Sequence, residues 1–125
     1  MNEVKTNNAP AAIGPYSQAV VIGNMVFTSG QIPVNPSTGE IPNELEAQIH
    51  QVFTNIKKLL EASGTSIDKV VKTTVFIREM NDFPIINKIY ETYFTYPYPA
   101  RSCVEVSRLP KDVLIEVEAI AEISV

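Results

Sequence analysis

The amino-acid sequence predicts an α+β fold with the element order ββαβαββ, in which two helices cover one face of a mixed β-sheet. Two segments carry apolar residues at the three- and four-residue spacing of amphipathic helices, and several shorter runs are rich in β-branched residues. The chain has 125 residues, of which 45% are hydrophobic and 19% charged, a composition typical of globular proteins. Its length, without any linker-like segment, predicts a single domain over residues 1–125.

The first predicted element is a β-hairpin. Gln18–Ile22 and Met25–Ser29 are β-prone runs separated by Gly23-Asn24, a dipeptide suited to a tight turn. We expect an irregular segment before this hairpin. The stretch QIPVNPSTGEIP after it contains three prolines, which predict a loop because proline lacks a backbone donor.

The first helix is predicted to begin near Asn43, a candidate N-cap residue with Glu46 three positions later, and to continue to Gly64. Its apolar face consists of Leu45, Ile49, Val52, Phe53, Ile56, Leu59 and Leu60. His50 lies beside this face, so we expect an exposed side chain without a functional role.

The run VVKTTVFI, Val70 to Ile77, is predicted to be a central strand because both of its faces carry β-branched residues. One face would hold Val71, Thr73, Val75 and Ile77, and the other Val70, Thr74 and Phe76. Two helices cover only one face of the sheet, so the second face needs another cover. A second copy of the chain is the simplest one.

The second helix is predicted after Asn81 or Asp82, either of which can cap it, with Pro84 in its first turn. Its apolar side would consist of Phe83, Ile86, Ile89, Tyr90, Tyr93 and Phe94. Beyond it, Arg101–Ser107 and Val113–Ile123 flank the turn-like sequence RLPKD, and this arrangement predicts a closing hairpin.

The closing hairpin suggests a polar cluster on the sheet face turned away from the helices. Alternation places Glu116 and Glu118 on that face, and pairing would bring Arg101, Cys103 and Glu105 beside them. A cation that binds carboxylates and an acid that orients water would suit hydrolysis of a small organic acid. Spacing alone favours a simpler interpretation, a buried arginine–glutamate pair at a subunit interface, and does not separate Glu116 from Glu118.

Composition argues against several classes of partner. The formal net charge is −4 and the basic residues are scattered, so we expect no nucleic-acid partner. A lone cysteine and a lone histidine make a structural metal site improbable, and Cys103 is expected to be a small buried residue. The N-terminal residues lack the apolar run of a signal peptide, and no stretch is apolar enough to span a membrane, which favours a cytoplasmic protein.

Several ordered stretches resemble those of the RidA family of reactive imine deaminases: NAPAAIGPYSQAV, TSGQIPVNPSTGE, VVKTTVFI, NDF, PARSCVEVSRLPKDV and IEVEAIA. The resemblance runs from about residue 8 to residue 121. It implies a chorismate-mutase-like subunit in a homotrimer with a central barrel and three clefts between subunits. It also implies that the protein hydrolyses 2-iminobutanoate, 2-iminopropanoate and similar imino acids without a cofactor. These imino acids arise from enamines released by pyridoxal-phosphate enzymes.

The same resemblance suggests roles for individual residues. Arg101 would bind the substrate carboxylate, and Glu116 would position the attacking water. Cys103 would contact the imine end through its backbone, and Tyr16 would close the pocket. Ser29 and Gly30 would line the pocket, and Asn87 is a further candidate near the cleft.

Two expectations concern the details of this site. An arginine near Glu116 would lower the pKa of that carboxyl below the free value of about 4.3, which favours water orientation over deprotonation. The segment between Phe94 and Arg101 looks shorter than in many relatives, which leaves side-chain preference open.

Alternatives to the enzyme remain at this point. One is a regulatory protein that binds small carboxylic acids without turnover. Others are the endoribonuclease or translation-inhibitor activity ascribed to some relatives, and a chaperone-like surface role.

Overall fold

The computed structural model describes residues 1–124 and has a mixed β-sheet with two α-helices. This confirms the predicted α+β class. The strands are β1 (Asn2–Val4), β2 (Ala19–Ile22), β3 (Met25–Thr28), β4 (Val70–Ile77), β5 (Ala100–Glu105) and β6 (Ile115–Glu122). The helices are α1 (Leu45–Ala62) and α2 (Phe83–Tyr90), and short 3-10 turns lie at Ile67–Lys69, Met80–Asp82 and Pro110–Asp112.

The strands form one sheet in the order β1-β2-β3-β6-β4-β5. All neighbouring strands are antiparallel except β4 and β5, which run parallel. The predicted hairpin of β2 and β3 is confirmed, with Ile22 opposite Met25 across the turn. Neither helix, in the part of the chain that is described, is long and apolar enough to cross a membrane.

The predicted closing hairpin is wrong. β5 and β6 do not pair with each other but lie on opposite sides of β4. The connection between them passes around the end of β4, where the Val106 N–H donates to Ile77 O at 2.8 Å and the Arg78 N–H donates to Leu114 O at 3.2 Å. A turn-like sequence therefore joins two strands that are separated by a third.

The N-terminal segment is also more ordered than expected, because residues Asn2–Val4 form an edge strand beside β2. The Gln18 side chain fixes the residues that follow. Its Oε1 accepts from the Thr6 N–H at 2.8 Å, and its Nε2 donates to Pro10 O at 2.8 Å. The buried Gln18 amide holds this segment together with Val4 and Ala9, which pack into the core.

The predicted helix boundaries need correction. Glu44, not Asn43, occupies the N-cap position of α1, and no side chain caps either helix. α2 ends at Tyr90, so Tyr93 and Phe94 lie beyond it. Both still pack on the Phe53 ring, with centroids 5.1 Å and 5.9 Å away, which explains why they continue the apolar pattern.

The core lies between the sheet and the helices. Residues 115, 117, 119 and 121 of β6 are buried, and residues 116, 118 and 120 on the other face are partly exposed, as predicted. In β4 the prediction fails at one end, because a register shift between Val70 and Lys72 buries Val70 and leaves Val71 exposed. Thr73, Val75 and Ile77 are fully buried on the helix side.

Asn55 holds the proline-rich loop against α1. It is buried, and its Nδ2 donates to Ile32 O at 3.0 Å and to Val34 O at 2.9 Å. Its Oδ1 accepts from Gln51 Nε2 at 2.9 Å. Asn55 thus donates to Val34 O and adds a second donor to Ile32 O, which also accepts from the Val34 N–H at 2.8 Å.

We expect Asn55→Ala to lower the free energy of unfolding by about 1–3 kcal/mol, because the Val34 carbonyl loses its donor and the Ile32 carbonyl loses one of two. Thr54→Ala, on the exposed side of the same helix, is the matched control and should change it by less than about 0.5 kcal/mol. Urea unfolding measures both. Equal effects of the two substitutions would show that Asn55 does not hold the loop.

Candidate active site

Arg101 and Cys103 lie on the helix-covered face of the sheet. In the parallel register Arg101 is opposite Thr73 and Cys103 is opposite Val75, and both partners face the helices. The Arg101 guanidinium contacts α2, where its Nη1 donates to Asn87 Oδ1 at 2.7 Å. The arginine is therefore directed toward α2.

Glu116 lies on the opposite face. It is paired with Phe76 of β4, and its neighbours Ile115 and Val117 are the ones that face the helices. The prediction that Arg101, Cys103 and Glu105 lie beside Glu116 and Glu118 is thus wrong within one protomer. It failed because it derived the orientation of β5 from a hairpin that does not exist.

The proposed residues therefore fall into two groups. We call Glu116, Gly30, Ser29 and Tyr16 the glutamate half-site, and Arg101, Cys103 and Asn87 the arginine half-site. β4 separates β5, which carries the arginine, from β6, which carries the glutamate.

The glutamate half-site depends on a close approach between Glu116 and Gly30. Gln31 pairs with Val117 through two backbone hydrogen bonds of 2.7 Å and 3.0 Å, and this bridge places Gly30 next to the Glu116 side chain. A Cβ on residue 30 would lie 2.9 Å from Glu116 Cδ and closer still to Oε2. A side chain at residue 30 would therefore require the Glu116 carboxylate to move from its present position.

Ser29 and Tyr16 complete this half-site. The Ser29 hydroxyl donates to Ser17 O at 2.6 Å, which joins the end of β3 to the segment that carries Tyr16. The Tyr16 hydroxyl accepts from the Ile13 N–H at 3.3 Å, and about half of the side chain is exposed. Tyr16 and Gly30 line one cavity of about 650 Å³, between the N-terminal segment and the loop after β3.

The environment of Glu116 favours its protonated form. Burial raises the pKa of this carboxyl above its ordinary value, and the negative charge of Glu118 raises it further. The expectation that an arginine lowers this pKa is wrong for the protomer, because Arg101 is on the other face of the sheet. Glu116 is consequently a stronger base than a free glutamate.

Cys103 is partly buried and packs against the core. Burial raises the pKa of its thiol above the ordinary value, although the nearby Arg101 charge opposes that rise. The thiol is therefore protonated at neutral pH and lacks the activation that a nucleophile needs. A role for Cys103 through its backbone is compatible with this geometry.

The sequence prediction missed two aromatic neighbours of Arg101. Its Cζ lies 4.7 Å from the centroid of the Tyr90 ring and 5.2 Å from that of Phe83. The predicted helix pattern classed both as core residues. Their spacing with Asn87, at positions i, i+4 and i+7 of one helix, was the available signal that these three side chains share a face.

Comparison with known proteins places the chain in a family. The model of the family described as "Endoribonuclease L-PSP" matches residues 6–123. The 2-iminobutanoate/2-iminopropanoate deaminase of Escherichia coli strain K12 is 58% identical over 121 residues, covering 94% of each chain. A RutC family protein of Haemophilus influenzae is 56% identical, again over 94% of each chain.

Solved structures agree with this assignment. E. coli TdcF with bound serine has a TM-score of 0.94 at 50% identity, covering 99% of this chain and 100% of that one. RidA from the Antarctic bacterium Psychrobacter sp. has a TM-score of 0.95 at 43% identity, covering 98% and 100%. The fold and site define an α+β protein with a glycine-adjacent glutamate and an aromatic-flanked arginine on opposite faces of its sheet. The chain belongs to the RidA family.

We expect Gly30→Ala to lower the free energy of unfolding by about 1–3 kcal/mol, because the new methyl group and the Glu116 side chain would overlap. In a Glu116→Ala background the same substitution should cost far less, since the overlapping atoms are gone. Urea unfolding of the unmodified protein, the two single variants and the double variant gives the coupling free energy between residues 30 and 116. Equal costs in the two backgrounds would rule out the close approach as the reason for glycine.

Proposed function

We propose that this protein hydrolyses 2-iminobutanoate, 2-iminopropanoate and similar 2-imino acids to 2-oxo acids and ammonia. The observation that carries this proposal is the 58% identity, over 94% of both chains, to the E. coli 2-iminobutanoate/2-iminopropanoate deaminase. The site chemistry supports it, because the chain offers a cation for a carboxylate and a glutamate of raised pKa for water.

The proposed active unit is a homotrimer with a central barrel, in which the arginine half-site of one protomer meets the glutamate half-site of its partner. The separation of the half-sites by β4 supports this assembly, since a single protomer cannot bring them to one substrate. Apolar residues on the uncovered face also support it. Phe27, Val71 and Val104 are all more than one-third exposed, and Phe76 and Ile120 are partly exposed.

Arg101 is proposed to bind the substrate carboxylate. A guanidinium has five N–H donors in a planar fork that matches a carboxylate. Asn87 accepts from only one nitrogen of the Arg101 guanidinium, Nη1. The salt bridges among the described residues involve Lys5, Lys58 and Arg108. No carboxylate of the described residues therefore competes with a substrate for Arg101. TdcF, whose structure contains bound serine, shows that a close relative accommodates a small amino acid.

Glu116 is proposed to act on water. The carboxylate takes a proton as the water oxygen bonds to the carbon of the protonated imine, forming a carbinolamine. Glu116 then passes that proton to the amine nitrogen and takes the hydroxyl proton as the C–N bond breaks, which releases ammonia and the 2-oxo acid. The ammonia carries the remaining proton away as ammonium, and the carboxylate is restored. A positioned base of this kind contributes about 10²- to 10⁴-fold to a rate.

The remaining residues shape the site around this reaction. Gly30 leaves room for the carboxylate, and Ser29 joins the strand end to the Tyr16 segment. Tyr16, whose side chain is about half exposed, is proposed to close the pocket. Cys103 is proposed to contact the imine end through its backbone. No step needs a cofactor, since imines already hydrolyse in water and require mainly orientation. The proposed role is removal of enamine and imine by-products of pyridoxal-phosphate enzymes in the cytoplasm.

Two other functions would use the same fold. The description of the family model names an endoribonuclease. The net charge of −4 opposes binding of a phosphate backbone. A non-catalytic protein that binds small carboxylates would need Arg101 but not Glu116. Substitution of Glu116 therefore distinguishes this function from the deaminase.

The proposal is tested by complementation between subunits. Arg101→Ala and Glu116→Gln should each abolish the release of ammonia and 2-oxobutanoate when threonine dehydratase generates the imine in situ. When the two variants are mixed and refolded together, random trimers should recover about one quarter of the wild-type activity, because one interface in four then carries both residues.

Each variant refolded alone is the control and should stay inactive. Failure of the mixture to recover activity, although native mass spectrometry shows trimers that contain both variants, would contradict a site shared between protomers. Wild-type protein that binds 2-oxobutanoate without accelerating imine hydrolysis would favour the binding protein.

The rate should fall as the pH drops through the pKa of Glu116, because only the ionised carboxylate acts on water. Glu118→Gln removes a charge that raises this pKa, so the acid limb of kcat/KM should move to lower pH. Glu122→Gln, at the exposed end of β6, is the control and should leave the limb in place. An unmoved limb in Glu118→Gln would mean that another group controls the rate.

A further inference from the structure

The Arg101 guanidinium is fixed from three directions by α2. Phe83 and Tyr90 place their rings 5.2 Å and 4.7 Å from Arg101 Cζ, and Asn87 accepts from Nη1 at 2.7 Å. The three residues occupy positions i, i+4 and i+7, which is one stripe of the helix. We call Phe83, Asn87 and Tyr90 the arginine cradle.

Tyr90 is itself held in place. Its hydroxyl is 2.7 Å from Thr73 Oγ1, and Thr73 is the residue directly opposite Arg101 in the sheet. The ring packs edge-on against Phe53, with centroids 5.5 Å apart. It packs in a tilted arrangement against Phe94, with centroids 4.5 Å apart. Burial raises the pKa of Tyr90, so the hydroxyl stays protonated and the ring stays neutral beside the cation.

A guanidinium fixed in this way offers an advantage in binding. A free arginine side chain has many rotamers, and ordering them opposes the binding of a ligand. Contacts with aromatic rings and with Asn87 impose that order before the ligand arrives. Arg101 also lines a cavity of about 400 Å³, together with Asn87, Tyr90, Glu91, Tyr98 and Pro99.

We propose that Phe83 and Tyr90 are positioning residues that hold the Arg101 guanidinium ready for the substrate carboxylate. This inference rests on the proposed function, because it takes an imino-acid carboxylate as the ligand of Arg101. The rings act through Arg101 and not on the imine carbon. Their loss should therefore weaken binding and leave the chemical step largely intact.

Phe83→Leu should raise KM for 2-iminobutanoate about three- to ten-fold and change kcat less than about two-fold, because one contact of the cation is lost. Tyr90→Leu should act in the same direction, with a larger effect because its ring is nearer. Tyr90→Phe keeps the ring and removes only the bond to Thr73, so it should restore most of the affinity. The dissociation constant for 2-oxobutanoate, measured by calorimetry, should change in parallel with KM.

Tyr93→Leu is the matched control. In the described residues the Tyr93 ring packs on Phe53 at 5.1 Å and on His50 at 5.6 Å, and not on Tyr90 or Arg101, so its truncation should lower Tm without raising KM. Tyr90→Leu removes a buried ring from the core and can prevent folding. Phe83 is only partly buried, so Phe83→Leu still tests the proposal if Tyr90→Leu does not fold. Circular dichroism and ultracentrifugation establish folding and assembly.

Three results would overturn the cradle proposal: unchanged KM and 2-oxobutanoate affinity in folded Phe83→Leu, an equal rise of KM in Tyr93→Leu, or absence of 2-oxobutanoate binding by the unmodified protein. The proposed function fails separately. If the unmodified protein binds 2-oxobutanoate more tightly than Phe83→Leu but hydrolyses no imine, the cradle stands and the deaminase does not.

Discussion

The pairing of β4 with β6 on one side and β5 on the other determines where the chemically active side chains lie. β6 runs antiparallel to β4 and places Glu116 beside Phe76 on the face away from the helices. β5 runs parallel to β4 and places Arg101 beside Thr73 on the helix face. Because strand side chains alternate strictly, a shift of either register by one residue would move its functional residue to the other face.

The two half-sites are built by different means. The glutamate half-site depends on backbone proximity, since the Gln31–Val117 bridge brings a residue without a Cβ against a carboxylate. The arginine half-site depends on side-chain packing, since a helix stripe surrounds a cation with rings and one amide. The first arrangement raises the pKa of Glu116, and the second places two rings and one amide against the Arg101 guanidinium.

A shared site between protomers would relate assembly directly to chemistry. The face that carries Glu116 also carries exposed apolar residues such as Phe27 and Val104, and burial of that surface is a strong driving force for association. The partly exposed Glu116 carboxylate is destabilised in the protomer by desolvation and by Glu118. A positive charge from a partner would stabilise the ionised form of Glu116, so association would also lower the pKa of this carboxyl.

The sequence by itself determined the class of the fold, the β2–β3 hairpin, both helices and the buried face of β6, because local turns and periodic apolar residues specify them. It also identified the family through ordered motifs that include PARSC and IEVE. Only the tertiary structure decided that β5 joins β4 instead of β6, and that Arg101 and Glu116 therefore face opposite sides. Strand pairing is a long-range choice, set by how the whole sheet packs, and a short turn-like sequence between two strands does not encode it.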